Sequence, residues 1–500
     1  MKKYSSIIVG SGISGLTLSL ILAKNGHKVL LLEKNPRIGG SLSRFYKEGF
    51  PFDTGFHFTG GLHRGGILHE MLSVLGISDL IQPIFLSEDN ANIFFLESEN
   101  RLYEIPYGIE RTKNKLKEYF PQETSAIKTY FDKVRHVCDQ TPTMHLETLT
   151  LSHNQSDEDF ITLEDVLNGL TRDPVLKALL SGLAMCYGVQ PKEVSFANHS
   201  RICLGLYESI ARVKDGGAAF INAFRKKIQE LDVEICCGSC IEELADIQND
   251  KVGRFVLNKG DDVSAEQCIF TMHPKEILKL LPKEYISRAF VNRVSSFESS
   301  TGFFSVFSAF YPELEEPDFD KSIITLLPVP DINRLLDPAY KGDSALVLMK
   351  SIEQAGENTF KIMSTFEPSC SEDTEAWKDS RTGRRPQAYY DYKQKKVERT
   401  LERIFRAFPE YKGRLNAIDA ASPLTFRDYL NNPDGSAYGI KQKIGQYNLI
   451  GKLPLRNLYA AGQSALLPGI VGAMMSSFIV GRSILKDTEY DRFLNQNLCN

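Results

Sequence analysis

The chain is poor in the features that would place it in several common classes. Its 500 residues contain a single Trp, with no internal repeat and no low-complexity tract. The 59 Lys and Arg nearly balance the 63 Asp and Glu, giving a net charge of -4. No basic surface is therefore expected to attract nucleic acid, and no nucleic-acid partner is expected. The longest apolar runs, such as Leu18–Ala23, fall short of the roughly 20 residues that cross a bilayer. Met1–Ser5 is polar and is followed at once by a strand and a glycine turn, so no secretory signal is expected. The nine cysteines lack the spacing of a disulfide framework. Cys236, Cys237 and Cys240 cluster without a second Cys or His pair, so they read as strand cysteines and no metal site is expected. No zinc-type H-E-x-x-H or Ser/His/Asp triad is visible. The expected location is the cytoplasm.

What is present is a glycine pattern in a specific setting. Ser6–Val9 reads as a strand, Leu16–Asn25 as a helix and Lys28–Leu32 as a second strand. Between the first two lie Gly10, Ser11, Gly12, Ile13, Ser14 and Gly15. Gly10 suits a tight turn, Gly12 a close approach of backbone to a pyrophosphate, and Gly15 close packing of helix on strand. The helix N-terminus offers free amides to phosphate. Glu33 ends the second strand, where a carboxylate accepts hydrogen bonds from ribose hydroxyls, and Lys34 follows it. These features together point to a bound dinucleotide.

The pattern alone does not separate NAD from FAD. Arg37-Ile38-Gly39-Gly40-Ser41 then supplies a second glycine pair, as in FAD enzymes of the glutathione-reductase-like superfamily. Gly40 to Gly60, with Phe52-Asp53-Thr54-Gly55-Phe56-His57-Phe58 inside it, resembles the matching stretch of carotenoid isomerases and retinol saturases, relatives of the phytoene desaturases. So does Asn457–Ser464 followed by Leu467–Met475. In that family this strand, loop and helix cap the flavin ring, and a helix N-terminus favours negative charge there. Ala421–Thr425, Pro433–Gly439 and Asp215-Gly216-Gly217 match as well. The resemblance implies FAD as cofactor. Its contacts would be Gly10, Gly12, Ile13, Ser14, Gly15, Glu33, Lys34, Gly40, Ser41, Gly55, Ile241, Gly462, Gln463, Ile470 and Val471. Ile241 would meet the adenine through its backbone. The chain departs from the family at Ser41, where a basic residue is usual; Arg37 or Arg44 would have to supply that charge.

The resemblance further implies an oxidoreductase acting on carbon–carbon double bonds of a lipophilic polyene, by saturation, isomerisation or desaturation, with hydride passing at the flavin. His57 and Tyr438 are the candidate catalytic side chains, and His199 is a weaker third. His63 and His69 read as solvated. Two other readings compete. One is an amine oxidase of the same superfamily, which usually carries an acidic residue and a Trp in the flavin cap, where this chain has Gln463. The other is a non-catalytic lipid or prenyl carrier, as Rab escort-type proteins are.

The expected fold is α/β: a Rossmann-type FAD-binding domain with an inserted α+β substrate domain. The former should comprise residues 1–69, 206–280 and 441–490, and the latter 70–205 and 281–440. Within these, residues 70–205 read as mostly helical, with a polar loop at Ser152–Glu158. Strands are expected at Phe303–Phe310, Ser344–Met349 and Thr359–Thr365, and helices at Ala218–Leu231, Tyr392–Phe408 and Ala473–Leu485. A substrate insoluble in water implies an apolar mouth or peripheral membrane contact.

Overall fold

The computed structural model describes residues 1–150, 155–311 and 314–498. It begins with the strand–helix–strand unit: β1 (Lys2–Val9), α1 (Ile13–Lys24) and β2 (Val29–Glu33). All five β2 residues are buried, as are nine of the twelve in α1. A strand apolar on both faces is what a parallel sheet covered by helices requires. In this sheet β1 lies between β2 and the strand Asp262–Phe270, parallel to both. Beyond β2 comes Glu234–Cys237, also parallel. Beyond Asp262–Phe270 come the short parallel strand Leu458–Ala460 and an antiparallel pair, Arg254–Leu257 and Ile241–Ala245. Strands far apart in sequence thus converge on one glycine loop.

The second sheet has seven strands and is mainly antiparallel. Its centre is Gly302–Phe310, Asn358–Ser369 and Leu346–Ala355. Gly302–Phe310 is buried along its whole length. Residues 70–205 contribute to this sheet too, which differs from the helical expectation. The hairpin Asn92–Leu96 and Arg101–Ile105 adds to its edge, Asn92–Leu96 running parallel to Ile323–Leu327. Each strand spans only five residues, too short to set its period apart from the helical pattern around it. The rest of the insert is helical, including Thr124–Asp139 and Phe196–Glu208. Of the polar loop expected at Ser152–Glu158, residues 152–154 lie outside the described residues. From Asp157 to Asp159 the chain forms one tight 3-10 turn capped by Ser156.

The insert is held close to the first sheet by a crossing of backbones. A Cβ on Gly60 would lie 2.2 Å from the carbonyl carbon of Gly205, so the loop can pass this near the helix Phe196–Glu208 only with glycine at position 60.

The final helix, Gly469–Leu498, runs longer than expected and is broken at Lys486, whose φ is 63°. This helix is long and apolar enough to cross a membrane by length and composition, contrary to the expectation that no segment would be. In the fold, 61% of its apolar window is buried. It packs on α1: Ser477 donates to the Ser14 carbonyl, and Gly481 lies against Ile21.

Candidate functional site

One cavity, of about 680 Å³, joins the glycine loop to the second sheet. It lies within the range of roughly 300–1,000 Å³ typical of small-molecule sites. The glycine-loop end is built from backbone. Thr271, just past the strand beside β1, donates its hydroxyl to the carbonyls of Val9 (2.9 Å) and Gly10 (3.2 Å) and so fixes the turn. A Cβ on Gly15 would sit 1.8 Å from the Gly10 carbonyl oxygen, so α1 can approach this closely only with glycine there. A Cβ on Gly12 would meet nothing within 4 Å, because Gly12 faces the open cavity. No side chain caps the N-terminus of α1. Its first amides and positive dipole end are left for an anionic group.

Glu33 is buried at the end of β2. Its carboxylate accepts from the Ser11 amide (3.0 Å), the Ser11 hydroxyl and the Asn35 amide (2.7 Å). An adenosine ribose placed here would meet a fixed acceptor, and a dinucleotide pyrophosphate would meet the bare α1 amides. The residues therefore fit FAD.

Of the seventeen expected site residues, sixteen line this one cavity: Gly10, Gly12, Ile13, Ser14, Glu33, Lys34, Gly40, Ser41, Gly55, His57, Ile241, Tyr438, Gly462, Gln463, Ile470 and Val471. Gly15 does not; it packs behind the loop. Arg37 and Arg44 do not line it either. Arg44 is buried and engaged by Asp53 and Glu353, so it is committed elsewhere and does not replace the basic residue missing at Ser41. His199 is also outside the cavity. It is buried between two tyrosines, with Nε2 2.7 Å from the Tyr130 hydroxyl and Nδ1 2.7 Å from that of Tyr187. Burial pushes its pKa down to about 3.

Away from the glycine loop the cavity forms a chamber lined by Met144, Met185, Phe303, Phe366, Phe426 and Leu430. Sequence reasoning missed these residues. They come from five separate elements, and no local pattern marks an apolar residue as facing a cavity rather than a core. Thr271 was also missed; its signal was the end of a third parallel strand, where a hydroxyl can reach the neighbouring turn. The carboxylates on the cavity wall are Glu33 and Glu276. Glu276 accepts from Lys279 on its own helix, close after Thr271. Both belong to the glycine-loop end.

His57 and Tyr438 stand where the two ends meet. The His57 ring lies 4.5 Å from that of Phe366, and its enclosed Nε2 has no hydrogen-bond partner among the described residues. Burial pushes its pKa down to about 4; Asp53 opposes the shift and Arg44 adds to it. The ring is therefore neutral at pH 7. Tyr438 packs edge-on against Phe303, its amide donating to the Ser300 hydroxyl (3.1 Å). Burial raises its phenol pKa well above the usual value.

Both the glycine cradle and the α/β sheet are those of a flavoprotein, and residues 13–358 match the family described as flavin-containing amine oxidoreductase. The chain belongs to that family and is an FAD-dependent oxidoreductase. Among curated proteins it is similar to the all-trans-retinol 13,14-reductase of Danio rerio, 28% identical, with 96% of this chain and 86% of that protein covered. Prolycopene isomerase 2 of an Oncidium hybrid cultivar is also 28% identical, over 30% of this chain and 25% of its own length. A solved oxidoreductase from Methanosarcina mazei shares the fold, with a TM-score of 0.67, 14% identity and coverage of 96% and 99%.

Proposed function

We propose that the protein saturates a carbon–carbon double bond in a long apolar polyene. The observation that carries this reading is the continuity of the glycine cradle with a chamber walled by Met and Phe side chains. Similarity to a retinol reductase along nearly the whole chain favours saturation over isomerisation, for which the likeness covers less than a third. Bound FAD supplies hydride transfer.

The chain's own residues do the rest. Gly10, Gly12, Ile13 and Ser14 present backbone to the pyrophosphate, while Glu33 holds the ribose and Ile241 borders the adenine. Gly40, Ser41, Gly55, Gly462, Gln463, Ile470 and Val471 surround the ring system. Phe303 and Phe366 exclude water and hold the polyene by apolar contact, worth about 25 cal/mol per Å² buried. His57 places a proton donor at the chamber wall, and Tyr438 bears on the substrate from the opposite segment. In this division residues 1–69, 206–280 and 441–490 serve the cofactor, and 70–205 with 281–440 serve the substrate. The reading includes a cytoplasmic protein that touches a membrane peripherally to collect its substrate; failure to float with liposomes would remove that part.

An amine substrate is disfavoured because a buried ammonium group calls for a carboxylate beside it. The wall carboxylates lie instead at the glycine-loop end. The decisive experiment is anaerobic incubation of the dithionite-reduced protein with all-trans-retinol and with a carotenoid, followed by mass spectrometry. A product heavier by about two hydrogens supports the reading. An isomer of unchanged mass would indicate isomerisation, peroxide release from an amine would restore the amine oxidase, and lipid binding without flavin would leave only a carrier.

A further inference from the structure

Behind His57, away from the chamber, lies a second and much smaller cavity, with about 20 Å³ of room for water. One water needs roughly 10–15 Å³ measured this way. Asp53, His57, Arg212, Lys350, Ser351, Glu353 and Ser364 are on its wall. Two nitrogens on lining residues are enclosed and lack a partner among the described residues: His57 Nε2 and Arg212 Nε. Leaving such groups unsatisfied costs about 1–3 kcal/mol each. A water between polar partners removes that cost. His57 borders both cavities, as does its neighbour Phe56.

The charges around this pocket do not balance. Beside Glu353, Arg44 and Arg212 meet three carboxylates: Asp53, Glu353 and Asp320. Lys350 takes Glu316, Arg212 takes Asp320 (2.9 Å), and Arg44 grips Asp53 through two nitrogens (3.2 and 2.9 Å). Among the described residues Glu353 has no cation of its own; it shares the Arg44 nitrogen that already serves Asp53. A buried cluster with one surplus carboxylate has reason to keep one proton.

From this arrangement we infer that Glu353 is the proton reservoir of the reaction, passing its proton through a water in the small cavity to His57 and so into the chamber. The inference rests on the saturation reading above. Saturating a double bond takes a hydride to one carbon and a proton to the other. The hydride comes with the reduced cofactor, recharged by a two-electron donor of the dihydronicotinamide or dithionite class. The proton leaves His57 on the chamber side while Nε2 takes another from the water, which takes one from the Glu353 carboxyl. The new C–H bond forms and Glu353 is left as carboxylate; between turnovers one solvent proton restores the carboxyl while His57 returns to its starting tautomer. No imidazolium is needed, which suits a ring kept neutral by burial. Burial and the neighbouring Asp53 raise the Glu353 pKa, while Arg44, Arg212 and a hydrogen bond from Ser351 oppose them, and the net direction is upward. Glu353 is thus a positioning and supply residue, and His57 the group that meets the substrate.

The test measures reduction against pH in the holoenzyme, together with histidine ring-nitrogen NMR of the same protein. The unsubstituted enzyme should lose activity as pH rises through the Glu353 titration. Glu353→Gln should slow reduction about 100-fold, the scale of general acid catalysis. It should also abolish the alkaline limb with the flavin spectrum unchanged. Glu353→Asp should keep the limb at a shifted pH. A merely structural Glu353 would not move that limb. In the NMR arm, the His57 Nε2 signal of unsubstituted protein should follow a carboxyl titrating above the usual range. That arm stands even where Glu353→Gln does not fold. An unmoved Nε2 signal, or the same limb in Glu353→Gln, would overturn the relay. No saturated product from the unsubstituted enzyme would instead overturn the saturation reading, and NMR alone would then decide whether Glu353 and His57 are linked.

Discussion

The two ends of the large cavity are built on opposite principles. At the glycine-loop end the wall is main chain, turned toward the ligand by glycines and by the bare start of α1, with one carboxylate fixed by three hydrogen bonds. At the chamber end it is side chain, contributed by loops, helices and strands hundreds of residues apart. The first end demands particular residues at particular spacings, because only glycine admits the backbone contacts there. The second demands apolar volume, which many side chains supply. Substitutions should therefore act sharply at one end and gradually at the other.

The largest expected effect is at Gly15. Gly15→Val drives a side chain into the Gly10 carbonyl, and neither α1 nor β1 can retreat without opening the buried core around Leu16 and Ile8. The purified protein should carry no flavin absorbance after incubation with excess FAD. A variant that stays yellow at normal affinity would mean that the loop is not the rigid cradle described.

Acid should separate the ends next. His199 belongs to the chamber-side insert and His57 to the junction, and their pKa values stand at about 3 and about 4. In the unfolded chain each takes a proton near 6.5. Both folded values are depressed, so the unfolded state binds more protons as pH falls below 6.5, and the stability these neutral rings allow is lost progressively toward pH 3 to 4. The loss should be about 3 kcal/mol for each ring by pH 4. Thermal melts from pH 7 to 4 should show it, and His199→Gln should flatten the curve. Near-UV dichroism from the chamber-side tyrosines should fall before the flavin is released; simultaneous loss would show one cooperative unit.

The same contrast explains what could be read from the sequence. Gly10, Gly12 and Gly15, followed by Glu33, keep a fixed spacing because backbone geometry imposes it, so β1, α1 and β2 were legible from one line of text. Gly40, Gly55 and Gly462 were legible only through the resemblance of their stretches to a known family. Phe303 and Phe366 look like any core strand residues, and only the pairing of their strands turns them toward a cavity. The hairpin at Asn92–Ile105 was hidden because its pairing with Ile323–Leu327 spans more than two hundred residues. Arg44 illustrates the limit best. From spacing it was a plausible phosphate ligand, yet Glu353, 309 positions away, claims it.

Glu33→Ala should have a smaller effect than either of these tests. It removes the proposed ribose acceptor and frees Ser11 and the Asn35 amide, while the glycine turn keeps Thr271 as its brace. Losing charge-assisted hydrogen bonds of this kind costs about 1–3 kcal/mol. FAD should bind roughly 10- to 100-fold more weakly by equilibrium titration. Turnover at saturating FAD should hardly change, because Glu33 stands at the adenosine end. A fall in turnover at saturating cofactor would show that the two ends are mechanically coupled.

The smallest effect is expected at Tyr438, and it discriminates between the two side chains at the junction. Burial raises the phenol pKa, so the hydroxyl holds its proton firmly and is a poor acid toward a polyene carbon. What Tyr438 supplies is its ring, set edge-on against Phe303, and Tyr438→Phe keeps that ring. The rate of reduction should therefore change less than about threefold, well below the roughly 10²–10⁴-fold of a lost general acid. A drop of that larger size, with the Glu353→Gln pH profile left normal, would move the proton donor from His57 to Tyr438. It would also give the chamber end one position as exacting as the glycines opposite.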